Sequence, residues 1–123
     1  MAKPKTPSRP VLTPRVKVWF EVEGGFGFGS GLIAILQAVE RAGSIKAAAD
    51  ELGRSYRHVW DRIKEAERAS GVALVVTQVG GQGIHRSDLT DEASRLVADF
   101  LALRARMIEV MEEEFARRRR GED

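Results

Sequence analysis

Five side chains with hydrogen-bond donors lie close together in one stretch of the sequence: Ser55, Tyr56, Arg57, His58 and Arg62. Arginine can donate two parallel hydrogen bonds to the O6 and N7 atoms of guanine, and hydroxyl or guanidinium groups suit phosphate oxygens. We therefore predict that these side chains bind DNA. Arg57 would contact a DNA base, and Ser55, Tyr56 and Arg62 would contact phosphates or flanking bases. For His58, a base contact and an ordinary surface position are equally consistent with the sequence.

A helix beginning after Ser55 and ending before Gly71 would carry these donors. At 100° per residue its apolar face comprises Tyr56, Val59, Ile63 and Ala66, with Trp60 at the edge. The opposite face comprises Arg57, His58, Asp61, Lys64 and Glu65, with Arg62 on its flank. This face, including Asp61, is the predicted contact surface, although mixed charge also suits a plain solvated face. For Trp60 we favour the core over a contact with a ligand.

A shorter helix precedes it, from residue 45 to residue 52, with Ser44 as its predicted N-cap. A three-residue Gly-Arg-Ser connection between the two helices is typical of the helix-turn-helix unit. The first amides of a helix bind phosphate well, so Ser44 and Lys46 are predicted phosphate contacts. Plain surface positions are the alternative for both.

Residues 73–79 and 84–89 predict an antiparallel hairpin directly after the second of these helices, which is where a winged helix has its wing. Arg86 would contact a neighbouring DNA backbone or minor groove from this wing, unless it is simply exposed. The predicted order is therefore a helix, the helix-turn-helix and a small β wing.

The chain upstream alternates apolar and polar residues from 16 to 23, which predicts a half-buried strand. Five glycines between 24 and 31 then lead into a helix over residues 32–39, ended by Gly43. A dinucleotide-binding loop is disfavoured, because Ser30 stands where the third glycine of G-x-G-x-x-G is required and no P-loop lysine follows. A tight turn with a close backbone approach is the preferred interpretation.

Thr90 predicts the start of a last helix of some 25 residues or more, longer than so small a domain can cover. Leu89, Leu96, Leu103 and Val110 are spaced seven apart on it. We predict a homodimer through this helix, related by a two-fold axis.

The composition excludes several function classes. The chain has no cysteine, hence no disulfide, thiolate metal site or cysteine nucleophile, and a cytoplasmic location is expected. No apolar run predicts a membrane span or signal peptide. His58 and His85 are the only histidines, and neither H-E-x-x-H nor G-x-S-x-G occurs, so an enzyme is poorly supported. No cofactor, metal or small-molecule ligand is predicted.

The predicted fold class is mainly α with a small β wing (α+β): a winged helix-turn-helix with an N-terminal strand and a long C-terminal dimerisation helix. Residues 1–14 predict a flexible basic arm with four prolines, residues 15–116 the DNA-binding and dimerisation domain, and residues 117–123 a charged tail. Such basic ends suit nucleic acid phosphates or an acidic membrane surface, and equally a merely solubilising role.

The segment GSIKAAADELGRSYRHVWDRIKEAERASGVALV, residues 43–75, resembles the N-terminal DNA-binding domain of ModE-type molybdate-responsive regulators. S-Y-R-x-x-W at 55–60 is its most specific part, the resemblance covers roughly residues 12–105, and LysR-type winged helices are more distantly similar. It implies a dimer that binds pseudo-palindromic operators, often at genes of molybdate uptake. The family binds molybdate in C-terminal domains of a small β-barrel kind, and we expect no such domain within these 123 residues. Residues 82–87 depart from the family's wing, so wing contacts transfer poorly.

The leading hypothesis is thus a sequence-specific transcriptional regulator that binds double-stranded DNA as a homodimer. The alternative is a protein-interaction adaptor that dimerises with another regulator. Binding to duplex DNA that weakens steeply with salt would distinguish the first from the second.

Overall fold

The computed structural model describes residues 10–80 and 85–121. The elements there, in chain order, are β1 (Trp19–Glu21), β2 (Gly27–Gly29), α1 (Ser30–Ala42), α2 (Ile45–Leu52), α3 (Tyr56–Ser70), β3 (Val75–Val79), β4 (His85–Leu89) and α4 (Asp91–Arg119). This order confirms the predicted fold class. Residues 1–9 of the predicted arm, residues 81–84 at the predicted wing tip and residues 122–123 of the predicted tail lie outside the described residues.

The helix ends follow the predicted capping residues. The side-chain oxygens of Ser44, Ser55 and Thr90 each accept a hydrogen bond from the backbone nitrogen three residues ahead, at 3.0, 3.0 and 3.1 Å. Gly43 and Gly53 end α1 and α2 in the left-handed conformation, with φ of 83° and 67°. The predicted bounds of α2 are confirmed, and α3 ends one residue beyond the predicted Ala69.

Helix α1 lies at the centre of the core. Its residues Leu32, Leu36 and Val39 are at most 1% exposed, because α2, α3 and α4 all pack around it. The rest of the core comes mainly from Ile45, Ala48, Ala49, Val59, Ile63, Ala66, Leu74, Ala93, Val97 and Phe100. Burial of this apolar surface holds α2 and α3 at a fixed relative orientation.

The N-terminal strand is shorter than predicted, and it has a partner that the sequence did not suggest. β1 pairs antiparallel with β2, with Phe20 opposite Phe28, so the glycine-rich segment forms a hairpin. The ring of Phe20 contacts Phe28 and Phe100 edge to face, at 5.8 and 5.5 Å between centroids. Phe20 thereby attaches the hairpin to α4.

The predicted wing is confirmed as an antiparallel pair in which Thr77 lies opposite Ser87. Ser87 is 2% exposed, its backbone nitrogen donates to the carbonyl oxygen of Gly43 at 2.8 Å, and its hydroxyl lies 3.0 Å from that of Thr77. These bonds hold the middle of β4 against the turn between α1 and α2.

Helix α4 is 29 residues long and includes Arg117–Arg119, which the sequence analysis had assigned to a separate tail. The helix continues because Glu114 accepts hydrogen bonds from both Arg117 and Arg118, one turn further on. In the part of the chain that the structure describes, no helix is long and apolar enough to cross a membrane.

Candidate nucleic-acid interface

Arg57 lies in the first turn of α3 and its side chain is 79% exposed. Its guanidinium is 3.4 Å from the carboxylate of Asp61, one turn along the helix, and 5.4 Å from the centre of the Trp60 ring. The ammonium of Lys64 lies 5.7 Å from the same ring. Trp60 therefore has two cations near its ring, and it also packs against the core, as favoured from the sequence.

Tyr56 does not lie in the core. The helical wheel placed it there, but it is 51% exposed because it occupies the first residue of α3, beyond the reach of the side chains of α1. It lines a cleft of about 550 Å³ between the helix-turn-helix and the wing. The other lining residues are Ser44, Ile45, Lys46, Thr77, His85 and Ser87.

This wing-side cleft brings three of the predicted contact residues together: Ser44, Lys46 and Tyr56. Thr77 and His85 belong to it as well and were not predicted, because only the pairing of β3 with β4 places them beside α2. Within the cleft, Ser44 caps α2 and Lys46 is exposed. The combination of a helix N-terminus, a lysine and a phenol hydroxyl suits an anionic oxygen.

His58 and Arg62 lie on a different side of α3 from the wing. The guanidinium of Arg54 approaches Nε2 of His58 at 3.4 Å, and Arg62 pairs with Glu65 at 3.0 Å. Both His58 and Arg62 line a cleft against α1 and share no lining residue with Tyr56. The predicted contact residues of α3 thus divide between its two sides, with Arg57 and Asp61 forming a separate exposed pair.

Arg86 is exposed on β4, and its guanidinium lies 3.9 Å from the carboxylate of Asp88. At this distance the pair is a weak surface interaction that leaves the guanidinium open to solvent. Arg86 does not line the wing-side cleft, so it stands apart from the other predicted contact residues.

Glu67 connects α3 to the base of the wing. Burial raises the pKa of this carboxyl, but hydrogen bonds from the backbone nitrogens of Leu74 and Val75 and from Lys64 outweigh it, so the pKa is lowered from its ordinary value. This role is not predictable from the sequence pattern, because Glu67 looks like one more charged residue on a solvated helix. In the described residues, no group of three or more His, Asp or Glu is arranged to hold a metal ion.

Capped α2 and α3, an exposed arginine in the first turn of α3 and a two-stranded wing define the class of protein as a winged helix-turn-helix. Residues 31–94 match the family described as bacterial regulatory helix-turn-helix protein, lysR family. The match covers more than half of the chain, and the chain belongs to this family.

Three relatives show which branch the chain resembles. It is 33% identical over 81 residues to the molybdenum-pterin-binding protein MopB of Rhodobacter capsulatus. The matched segment covers 66% of this chain and 30% of MopB. It is 35% identical to the molybdenum transport protein ModE of Azotobacter vinelandii, over 68% of this chain and 31% of that protein. The DNA-binding transcriptional dual regulator ModE of Escherichia coli K12 is 35% identical, over 53% of this chain and 25% of its own length.

These matches confirm the resemblance to ModE-type regulators, and they support a DNA-binding regulator rather than an enzyme. The chain spans about a third of the length of the curated relatives it matches. Among solved structures, ArgP from Mycobacterium tuberculosis is similar with a TM-score of 0.46 and 28% identity, over 72% of this chain and 30% of that one.

Proposed function

We propose that the chain recognises a specific duplex DNA sequence as a homodimer, with Arg57 contacting a base. The observation that carries this proposal is the exposure of Arg57 at the start of α3, where a recognition helix meets base edges. Asp61 lies beside it and restrains the guanidinium, which favours the fixed geometry that a paired contact with guanine needs.

Apart from Asp61, the remaining predicted contact residues suit phosphates. Ser44 and Lys46 stand at the start of α2 and line the wing-side cleft, and Tyr56 lines the same cleft and contributes a hydroxyl. Ser55 caps α3 outside this cleft. Arg86 would reach the next stretch of backbone from the wing, and His58 and Arg62 would contact DNA on the opposite side of α3.

The exposed apolar residues of α4 support the homodimer. Only Ala93, Val97 and Phe100, all in the first third of α4, are buried on the domain. Further along, Leu103, Met107 and Val110 are between 37% and 41% exposed, an unusual fraction for large apolar residues repeated along one helix. A second α4 would cover them.

We propose an antiparallel pairing of the two copies of α4. A two-fold axis at Leu103 places Leu96 of one copy opposite Val110 of the other, since each lies seven residues from the axis. The same axis brings Asp91 near Arg117 of the other copy but also places Glu92 opposite Glu114, so the pairing rests on the apolar residues and not on charge.

Leu96 also lines an apolar cleft of about 170 Å³ together with Phe28, Leu32 and Leu74. In the antiparallel pairing, Val110 of the second copy would face this cleft. The cleft would therefore offer Val110 of the second copy an apolar surface to pack against.

We further propose that the target genes concern molybdenum, since the relatives named above are a molybdenum-pterin-binding protein, a molybdenum transport protein and a dual regulator. Selection of bound fragments from the genomic DNA of the source organism tests this. Fragments enriched beside genes of molybdate uptake or molybdenum-cofactor synthesis would support it, and enrichment elsewhere would contradict it.

The experiment that tests the base contact compares Arg57→Ala with Arg106→Ala on a duplex selected from a randomised pool. Arg106 is an exposed arginine on α4, so its removal changes the net charge equally. Arg57→Ala should cost about 1–3 kcal/mol of binding free energy and relax selection at one base position. Lys46→Ala should weaken all duplexes alike. Unchanged binding by Arg57→Ala would contradict its assigned role.

The exposed residues of α4 also favour a second candidate, an adaptor that pairs with a different regulator. The purified chain is mixed with a full-length regulator of the same family, and the mass of the resulting complex is measured. This experiment distinguishes the homodimeric regulator from the adaptor. Pairing with that regulator without any salt-dependent duplex binding by the chain itself would favour the adaptor.

A further inference from the structure

A groove runs beside α3 on the side away from the wing. One cleft of about 380 Å³ is lined by residues of α1, the end of α2, the turn before α3 and α3 itself, and these include Arg54, His58 and Arg62. A second, of about 470 Å³, is lined by Lys17, Trp19, the glycines of β2 and again Arg62. Gly31 and Arg62 line both clefts, so the two form one continuous surface, which we call the flank groove.

The flank groove has a one-sided charge. Its ionisable lining residues are Lys17, Arg54, His58 and Arg62, and no aspartate or glutamate lines either cleft within residues 10–80 and 85–121. This differs from the chain as a whole, where Lys and Arg number 20 against 18 Asp and Glu. A concave surface whose ionisable groups are all basic attracts a polyanion.

An exposed aromatic ring and open backbone accompany these cations. Trp19 is 54% exposed at the wall of the groove, and its indole nitrogen donates to Glu21 at 3.4 Å, which directs the polar edge of the ring away along β1. At Gly31 an added side chain would meet open space. The floor is therefore accessible, and the ring provides an apolar contact for a sugar.

We propose that the flank groove binds the sugar-phosphate backbone of the same duplex whose bases α3 contacts. The proposal rests on the proposed function. It is supported by continuity with α3: Arg54 and His58 belong to the groove, His58 directly follows Arg57 in the chain, and Arg54 lies three residues before it. Residues two apart on a helix point about 200° apart, so Tyr56 and His58 face opposite sides of α3. Backbone contacts would then flank the recognition helix on both sides.

Arg62 is shared between the groove and Glu65, whose carboxylate accepts from it at 3.0 Å. A phosphate in the groove would compete with Glu65 for this guanidinium. Removing the carboxylate therefore frees a cation for DNA, and the proposal predicts that Glu65→Gln tightens duplex binding while leaving the selected base sequence unchanged.

The test measures binding to a duplex selected from a randomised pool with the unmodified full chain, over a range of salt concentrations. Lys17→Ala and Arg62→Ala should each reduce the slope of log affinity against log salt by about 0.9, the value for one phosphate contact. Arg106→Ala is the matched control for Arg62→Ala, because Arg106 makes the same kind of i,i+3 pair with Glu109. Its slope should equal that of the unmodified chain.

Ethylation of single phosphates gives an independent measurement. Two clusters of interfering phosphates are expected for each half-site, and the Lys17→Ala and Arg62→Ala variants should lose interference in one of them only. If both variants retain the full slope and both clusters, the flank groove does not bind DNA and the proposal is wrong, while the proposed function stands. If the unmodified chain shows no salt-dependent binding to any selected duplex, the proposed function fails as well.

Discussion

The carboxylate of Glu67 lies 2.8 Å from the backbone nitrogen of Leu74 and 3.2 Å from that of Val75, and it accepts a hydrogen bond from each. Its other oxygen is 3.1 Å from the ammonium of Lys64. One side chain of α3 therefore fixes the chain just where β3 begins. The contact therefore joins α3 to the start of β3 through two backbone hydrogen bonds.

Glu67→Gln should destabilise the fold near neutral pH by about 1 kcal/mol, because a neutral amide oxygen accepts the two backbone hydrogen bonds more weakly than a carboxylate and the amide nitrogen cannot pair with Lys64. The folded pKa of Glu67 is lowered below its ordinary 4.5, so its contribution to stability is present above pH 4.5 and is lost as pH falls through the folded pKa. Urea unfolding at several pH values checks this. The gap between the variant and the unmodified chain should shrink below about pH 4.5, whereas a constant gap would argue against ionisation as its cause.

Trp60→Ala should weaken duplex binding by more than Trp60→Phe. Arg57 and Lys64 both lie close to the indole ring, and a cation over an aromatic ring at an exposed site contributes about 0.5–1 kcal/mol. Phenylalanine keeps a ring there and should retain most of the affinity. Dissociation constants at fixed salt measure the difference, and thermal unfolding of both variants separates it from loss of packing. Equal affinities of the two folded variants would show that the ring does not position these cations.

Asp61→Asn should raise affinity for duplexes of unrelated sequence and lower selectivity for the selected one. The carboxylate repels phosphates, and it also restrains Arg57 at 3.4 Å, so its loss removes a repulsion and a restraint together. Stability should change little, because the pair is exposed. Competition between selected and unrelated duplexes gives the ratio of affinities. A ratio equal to that of the unmodified chain would mean that Asp61 has no part in orienting Arg57.

The helix bounds were predictable because their signals are local. Ser44, Ser55 and Thr90 cap helices within three residues of chain, and Gly43 and Gly53 end them through their own backbone conformation. The same applies to the exposure of Arg57, which follows from the helical period once the apolar face is recognised.

Pairing between segments that are distant in the chain was harder to predict from the sequence. The sequence suggested a close backbone approach in the glycine segment but not β2, because a G-F-G strand carries no alternating pattern. At Gly29 an added Cβ would lie 3.3 Å from both the carbonyl oxygen of Val18 and Cβ of Trp19, so any other residue there would force the neighbouring strand to shift slightly. The helical period places Tyr56 on the apolar face, but it does not say that the first residue of α3 lies outside the core.

Leu103→Asp should convert the proposed homodimer to a monomer. Leu103 is 41% exposed and occupies the proposed two-fold axis, so the substitution would place two carboxylates against each other in an apolar contact. The expected sedimentation mass at micromolar concentration is that of one chain, 13.6 kDa, in place of two. Affinity for a duplex with two half-sites should fall, because the second half-site no longer binds as part of the same molecule.

Ala105→Asp is the matched control for this substitution. Two residues further along the helix, the side chain points about 200° away, and the same charge would then face solvent. This variant should keep the mass and the two-site affinity of the unmodified chain. If Leu103→Asp also remained a dimer, the pairing would involve another surface. If the unmodified chain itself sedimented as 13.6 kDa at micromolar concentration, the homodimer would be excluded.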